Sequence, residues 1–211
     1  MEEQHKIMKK DKFKTEQELF WRGDFGDKYI KRNIKSNREL TIGKNLLSNN
    51  VKIHSAIELG ANIGLNLDAI KSIYPQCTTL GIEINKKAYS TLKKKHKAVN
   101  KSFLNFNSKK KFDLVIVAGV LIHLNPDYLK KIYKIICKLS KKYIYISEYF
   151  NPVPVTIKYR GHQGRLFKRD FAKELWNLNP KLKLLNYGFE WKEDPKLKNM
   201  SDNTNWFLFQ K

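Results

Sequence analysis

The chain has 211 residues, of which 41% are hydrophobic, 12% aromatic and 29% charged. That is one domain with enough apolar side chains for a core, and it excludes a disordered tail, a collagen-like repeat and a low-complexity linker. The 42 basic and 20 acidic residues leave a net charge of +22. Lysine supplies almost all the positive charge and is spread along the chain with abundant Asn and Ile, as an AT-rich genome produces. Nucleic acid is therefore disfavoured as partner, while anionic small molecules gain by steering. Cys77 and Cys137 form no CxxC pair, which argues against a disulfide scaffold and a cysteine zinc site; no metal is expected. The first residues are polar with no apolar signal region, and the longest apolar run (114–122) is too short to cross a bilayer. The expectation is a soluble cytoplasmic protein with no membrane partner and of unassigned oligomeric state.

Residues 15–50 read as mostly helical, within an N-terminal segment (1–50) that would cap the rest. A strand at 55–60 ends at Gly60. Leu67, Ile70 and Ile73 then follow at helical spacing up to Pro75. A second strand spans 78–84. Asn85 caps the next helix, whose inner face is read as Ala88, Leu92, His96 and Val99. A short third strand is placed at 102–106. The run at 112–120 is apolar throughout, as expected of a strand covered on both faces. Asn125 and Pro126 open a helix with Leu129, Ile132, Tyr133, Ile136 and Leu139 inward. A fifth strand covers 142–150. Residues 151–168 hold two Pro and two Gly without sustained period, and read as an irregular excursion. A helix at 169–178 and strands at 181–191 and 203–211 complete the chain. Strands alternating with helices predict a parallel sheet with helices on both faces, closed by an antiparallel strand. With no repeat and no linker, residues 1–211 form a single domain in this reading.

The chemistry concentrates in IELGANIG (57–64), at the first strand-to-helix turn. Gly60 permits a sharp turn and close ligand approach, and Gly64 lets the helix begin near the strand. Amides at that helix start favour a polar or anionic group. Glu83 ends the second strand, where a carboxylate can accept hydrogen bonds from both ribose hydroxyls. A dinucleotide fingerprint would require glycine at 62 and 65, which hold Asn62 and Leu65. Glu58 would repel a pyrophosphate but suits a ligand with an ammonium and a sulfonium group. The cofactor indicated is S-adenosylmethionine, and a nicotinamide dehydrogenase is disfavoured.

These segments resemble the class I methyltransferases: IELGANIG their first motif, GIEIN (81–85) their second, and FDLVIVAGVLIHLNPDYL (112–129) their fourth strand and following loop. The resemblance implies a Rossmann-like α/β fold with a seven-stranded sheet in the order 3-2-1-4-5-7-6, strand 7 antiparallel. It implies that Glu58, Gly60, Ala61 and Asn62 surround the methionine part of the cofactor. It puts Glu83 on the ribose, with Ile84, Ala118, Gly119 and Val120 alongside. Asn62 departs from the usual middle glycine. Asn105 and Asn107 stand where many members carry an acid near the adenine. TEQELFWRGDFGDKYIKRN (15–33) and EYFNPVPVTIKYRGHQGRLFKRDFAKELW (148–176) resemble the methylases associated with pseudaminic acid biosynthesis. That implies methyl transfer to an oxygen or a nitrogen of a small polar, anionic acceptor such as a nonulosonic-acid-type sugar or its nucleotide-linked form.

Candidate acceptor-side groups follow strands four and five. His123 and His162 are candidate bases, since an unperturbed histidine titrates near neutrality. Glu148 and Tyr149 end strand five. Tyr159, Arg160, Arg165 and Lys168 fall in the excursion (149–168), where arginines could clamp a carboxylate or phosphate. Trp21 and Tyr29 belong to FWRGDFGDKY (20–29), which reads as a lid over the cofactor. Two other function classes stay open: an RNA methyltransferase, and a non-catalytic interaction module on the same fold.

Overall fold

The computed structural model describes residues 15–32, 38–197 and 203–211. Among the described residues three helices come first: α1 (Glu16–Arg22), α2 (Asp24–Arg32) and α3 (Ile42–Ser48). There follow β1 (Ser55–Leu59), α4 (Leu65–Ile73), β2 (Thr78–Glu83), α5 (Lys86–Leu92), β3 (Lys97–Asn100) and β4 (Phe112–Ala118). Next come α6 (Leu129–Leu139), β5 (Ser140–Glu148), β6 (Val155–Tyr159), β7 (His162–Lys168), α7 (Phe171–Leu178), β8 (Lys183–Glu190) and β9 (Thr204–Gln210).

Seven strands form one sheet in the order β3-β2-β1-β4-β5-β9-β8. The first five are parallel, and β9 runs antiparallel to both neighbours. This is the expected 3-2-1-4-5-7-6 order, since β8 and β9 are the sixth and seventh strands of the sheet. The continuous apolar sequence of β4 is explained by burial on both faces. Val115 and Val117 join a core with Ile132 and Ile136 of α6 and Phe171 and Leu175 of α7. Leu114 and Ile116 join a second core with Leu46 of α3, Leu67 and Ile70 of α4, and Leu92 of α5.

Two expectations are corrected. The helix after Asn85 stops at Leu92 and does not reach Val99; the third strand is Lys97–Asn100, not 102–106. His96 explains the early stop. Its ring bridges the Thr79 hydroxyl at 2.9 Å and the Asp68 carboxylate at 3.0 Å, so the chain turns back beside β2 and pairs with it. Ser102 then accepts the Leu104 amide, and Phe103–Asn105 forms a 3-10 turn.

The excursion is also regular: β6 and β7 form an antiparallel hairpin. Arg160 and Gly161, at φ of 48° and 89°, make its tight turn between the paired Tyr159 and His162. Both left-handed residues match the turn twist that two-residue hairpins favour. Among the described residues no helix is long and apolar enough to cross a membrane. Residues 1–14 and 33–37 of the proposed cap segment lie outside the described residues.

Candidate functional site

The strand order reverses between β1 and β4, which opens a crevice beyond their carboxyl ends. A cavity lies there, walled by the turns after β1, β2 and β4, the 3-10 turn at Phe103–Asn105, and the inner side of α1 and α2. It is lined by eleven of the twelve residues expected around a cofactor: Trp21, Tyr29, Glu58, Gly60, Ala61, Asn62, Glu83, Ile84, Ala118, Gly119 and Val120. Gly64 is the exception. It caps α4 at φ 92°, and a side chain there would strike Leu92 and His96, so it serves helix packing and not the cavity wall.

The first turn is built for close approach. Gly60 sits at φ 76°, and a Cβ there would lie 2.6 Å from a Val120 methyl. Asn62 holds φ 48°, a left-handed conformation that asparagine tolerates better than most side chains. The Asn62 amide donates to Glu83 Oε2 at 2.7 Å, and the Asn85 amide to Glu83 Oε1 at 2.7 Å. The carboxylate is thereby fixed in orientation, and each oxygen keeps a lone pair for a ligand hydroxyl. Burial raises the Glu83 pKa, and the backbone amides oppose it.

Glu58 is buried and takes one hydrogen bond, from Asn66 Nδ2 to Oε1 at 2.6 Å. Burial pushes its pKa up to about 8, against the pull of Asn66 and of the Arg38 guanidinium. Its other oxygen, Oε2, is enclosed and has no partner. Among the described residues four more enclosed polar atoms lack partners: Arg165 Nε, away from the cavity wall, and Gln17 Oε1, Trp21 Nε1 and Arg38 Nε, whose residues line that wall together with Glu58. Buried polar groups are rarely left unpaired, so four around one space mark a surface made for a polar ligand.

Helices α1 and α2 are fastened over the crevice. Thr15 and Glu18 form a capping box that starts α1, and the Ser102 hydroxyl donates to Glu18 Oε1. Asn85 caps α5 through Oδ1, accepting the Lys87 and Ala88 amides at 2.9 Å. Its Nδ2 donates to Asp27 Oδ1 at 2.9 Å and to the Trp21 and Arg22 carbonyls at 3.3 Å. Lys87 adds an ion pair to Asp27 at 2.6 Å.

The acceptor-side candidates separate. His123 lines the cavity and packs between Trp21 (4.5 Å between ring centres) and Tyr159 (4.9 Å). Its Nδ1 lies 2.7 Å from the Arg165 carbonyl. A carbonyl only accepts, so Nδ1 carries the proton and Nε2 keeps its lone pair. Burial lowers the His123 pKa to about 4, which leaves the ring neutral at physiological pH. Glu148 is buried beneath this turn and accepts the amides of Val120 at 3.0 Å, Leu121 at 2.9 Å and Ile122 at 3.4 Å. Its carboxyl, pushed by burial to about 8, shapes the turn that presents His123. His162 is exposed and packs on Phe20 and Phe25.

The basic residues do not converge on the cavity wall. Arg160 is exposed at the hairpin tip. Arg165 pairs with Glu16 at 3.1 Å, and Lys168 lies over the Tyr149 ring at 5.2 Å. The sequence reading did not single out Gln17, Glu18, Arg38, Asn66, Ser102, Phe103 and Leu104, which also line the cavity. Only Glu18 carried a local signal, as the fourth residue of the Thr15-Glu16-Gln17-Glu18 capping pattern.

No family model matches the chain, and no curated protein matches it in sequence. Solved structures match it in fold. A 1,6-didemethyltoxoflavin-N1-methyltransferase from Burkholderia thailandensis, solved with its substrate and S-adenosylhomocysteine, superposes with a TM-score of 0.69 at 14% identity, over 92% of this chain and 88% of that one. The magnesium protoporphyrin IX methyltransferase of Synechocystis PCC 6803, solved with S-adenosylmethionine, gives 0.63 at 12% identity, over 94% and 98%. An S-adenosylmethionine-dependent methyltransferase from Clostridium acetobutylicum gives 0.61 at 12% identity, over 87% and 95%. The chain therefore has the Rossmann-like class I methyltransferase fold.

Proposed function

We propose that the chain is an S-adenosylmethionine-dependent methyltransferase acting on a small polar molecule. The observation that carries this is the set of enclosed, unpartnered polar atoms on four residues that line one cavity at the strand switch point. The groups fit the cofactor. Glu58 Oε2 suits the ammonium and Arg38 the carboxylate of its amino-acid end, and Glu83 suits the ribose hydroxyls. Ile84 and Val120 are apolar surfaces for the adenine faces. When bound, the cofactor supplies an electrophilic methyl group on a sulfonium. The solved structures of similar fold that hold S-adenosylmethionine or S-adenosylhomocysteine support the same reading.

The acceptor reaches the cavity on the side of His123 and Tyr159. Holding it aligned supplies much of the catalysis in a displacement of this kind. We assign His123 Nε2, neutral and with a pKa too low for a strong base, to accept a hydrogen bond from the methyl acceptor and align it, with Glu148 and the Arg165 carbonyl fixing its place and tautomer. Glu148 is thereby a positioning residue, and His162, exposed and outside the cavity wall, takes no role in this proposal. The finer reading of the acceptor, a nonulosonic-acid-type sugar, is supported by the resemblance of residues 15–33 and 148–176. Its anionic group would meet the basic hairpin around Arg160 and not the cavity wall.

The test is transfer of isotope-labelled methyl from S-adenosylmethionine to a panel of acidic sugars and their nucleotide conjugates. Label should move to a panel member with the wild type and not with Glu58→Ala. A wild type that binds S-adenosylhomocysteine but labels nothing removes the sugar reading. A wild type that does not bind it removes the enzyme reading.

A further inference from the structure

The usual adenine-side acid is missing from this chain: the segment after β3 offers Ser102, Phe103, Leu104 and Asn105. Helix α1 is tied to that segment through Glu18 and supplies two groups suited to the base edge. Gln17 and Trp21 are one helical turn apart and therefore share a face, and both line the cavity. Gln17 is only 8% exposed. Its Nε2 donates to the Gly164 carbonyl of β7 at 2.9 Å. That carbonyl has no proton to give, so the amide orientation is settled and Oε1 is the atom turned away from β7. Oε1 is enclosed and has no partner. Trp21 Nε1, a donor only, is likewise enclosed and without one. The neighbouring Glu18 ties this helix to Ser102, beside the apolar surfaces of Ile84, Phe103 and Val120 that line the cavity.

Adenine presents on one edge an amino group, a donor, next to a ring nitrogen, an acceptor. An unpaired acceptor and an unpaired donor on one helix face are the complement of that edge. We propose that Gln17 Oε1 accepts from the adenine amino group while Trp21 Nε1–H donates to ring nitrogen N1 on its Watson–Crick side, so that the N-terminal helix sets base specificity. This rests on the cofactor reading above and names the base recognition within it. It also gives a reason for the anchoring of α1 to Ser102, Gly164, Asn85 and Arg165: a reading helix must be held at fixed distance from the base.

S-inosyl-L-homocysteine tests this, because its 6-oxo group and protonated ring nitrogen invert both hydrogen-bond roles. Calorimetry should find that the wild type binds S-adenosyl-L-homocysteine at least about tenfold more tightly than the inosyl analogue, the scale set by leaving a buried polar group unpaired. In Gln17→Met the preference should collapse. Any loosening of α1 from the lost Gly164 bond weakens both ligands alike and leaves the ratio as the readout. Trp21→Phe keeps the ring and should also lower the ratio. Thermal melting of each variant establishes that it is folded. Equal binding of the two ligands by the wild type, or an undiminished preference in both variants, overturns the assignment. Binding of neither ligand by the folded wild type overturns the cofactor reading and takes this one with it.

Discussion

Glu83 and Glu58 carry different loads in the same cavity. Glu83 is held by two amides and waits for hydroxyls. Glu83→Ala should weaken S-adenosylhomocysteine binding by about 1–3 kcal/mol, the range for charge-assisted hydrogen bonds; an unchanged affinity in calorimetry would contradict the ribose assignment. Glu58 is half-satisfied, and its pKa near 8 lies above the ordinary 4.5. Between those values the folded chain holds a proton that the unfolded chain has lost. Its contribution to stability is therefore present at low pH and declines as pH rises from about 4.5 to 8. Urea unfolding across that window should show stability falling with pH, with a shallower fall in Glu58→Gln. A variant with the wild-type slope would contradict the burial account of Glu58. Both carboxylates were legible in the sequence because an acid at a strand end beside a glycine turn has a fixed relation to the crevice. Gln17 and Arg38 were not: nothing local to a helix or a 3-10 turn says that its side chain faces a cavity built by strands far along the chain.

At the scale of elements, the cap depends on Asn85. One side chain closes α5 with its oxygen and holds the α1–α2 corner with its nitrogen. Asn85→Ser keeps an oxygen for capping and loses the reach to the corner. It should melt close to the wild type yet bind S-adenosylhomocysteine several-fold more weakly, as the two measurements together would reveal. The corner itself is tight. A Cβ on Gly26 would stand 1.9 Å from the Trp21 carbonyl and 2.8 Å from Asn85 Nδ2. Gly26→Ala should therefore destabilise by about 1–3 kcal/mol through overpacking and weaken the same ligand; a variant indistinguishable in both respects would show that the corner yields. Elements buried on both faces or strongly amphipathic, such as β4 and α6, announce themselves by period. The hairpin β6–β7 did not, because Leu166 is its one deeply buried residue and most of its other side chains meet solvent or aromatic neighbours. The third strand was displaced in the reading because His96 and Val99 fall at helical spacing from Leu92, while a cross-element bond of His96 decides the turn.

For the whole molecule, alternation of strands and helices was enough to reach the sheet order, since handed crossovers leave few ways to stack such a series. The net charge of +22 was less informative. Among the described residues the arginines Arg165 and Arg169 are drawn into ion pairs with Glu16 and Glu174, and Arg38 is the one that lines the cavity. The binding contacts proposed for Glu58 and Arg38 are enclosed, and enclosed charges are screened far less than exposed ones. S-adenosylhomocysteine affinity should therefore change little between low and high salt. A steep loss with salt would instead implicate the surface charge in binding.

Calorimetric titration of the nucleic-acid-free wild-type protein with S-adenosyl-L-homocysteine, repeated in buffers of different ionisation enthalpy, tests the central claim most directly. One ligand per chain should bind, at micromolar affinity. Protons should also be released near neutral pH, as the ligand's ammonium draws the Glu58 carboxyl to its ionised form. A folded protein that takes up no ligand would contradict the assignment of this cavity to the cofactor.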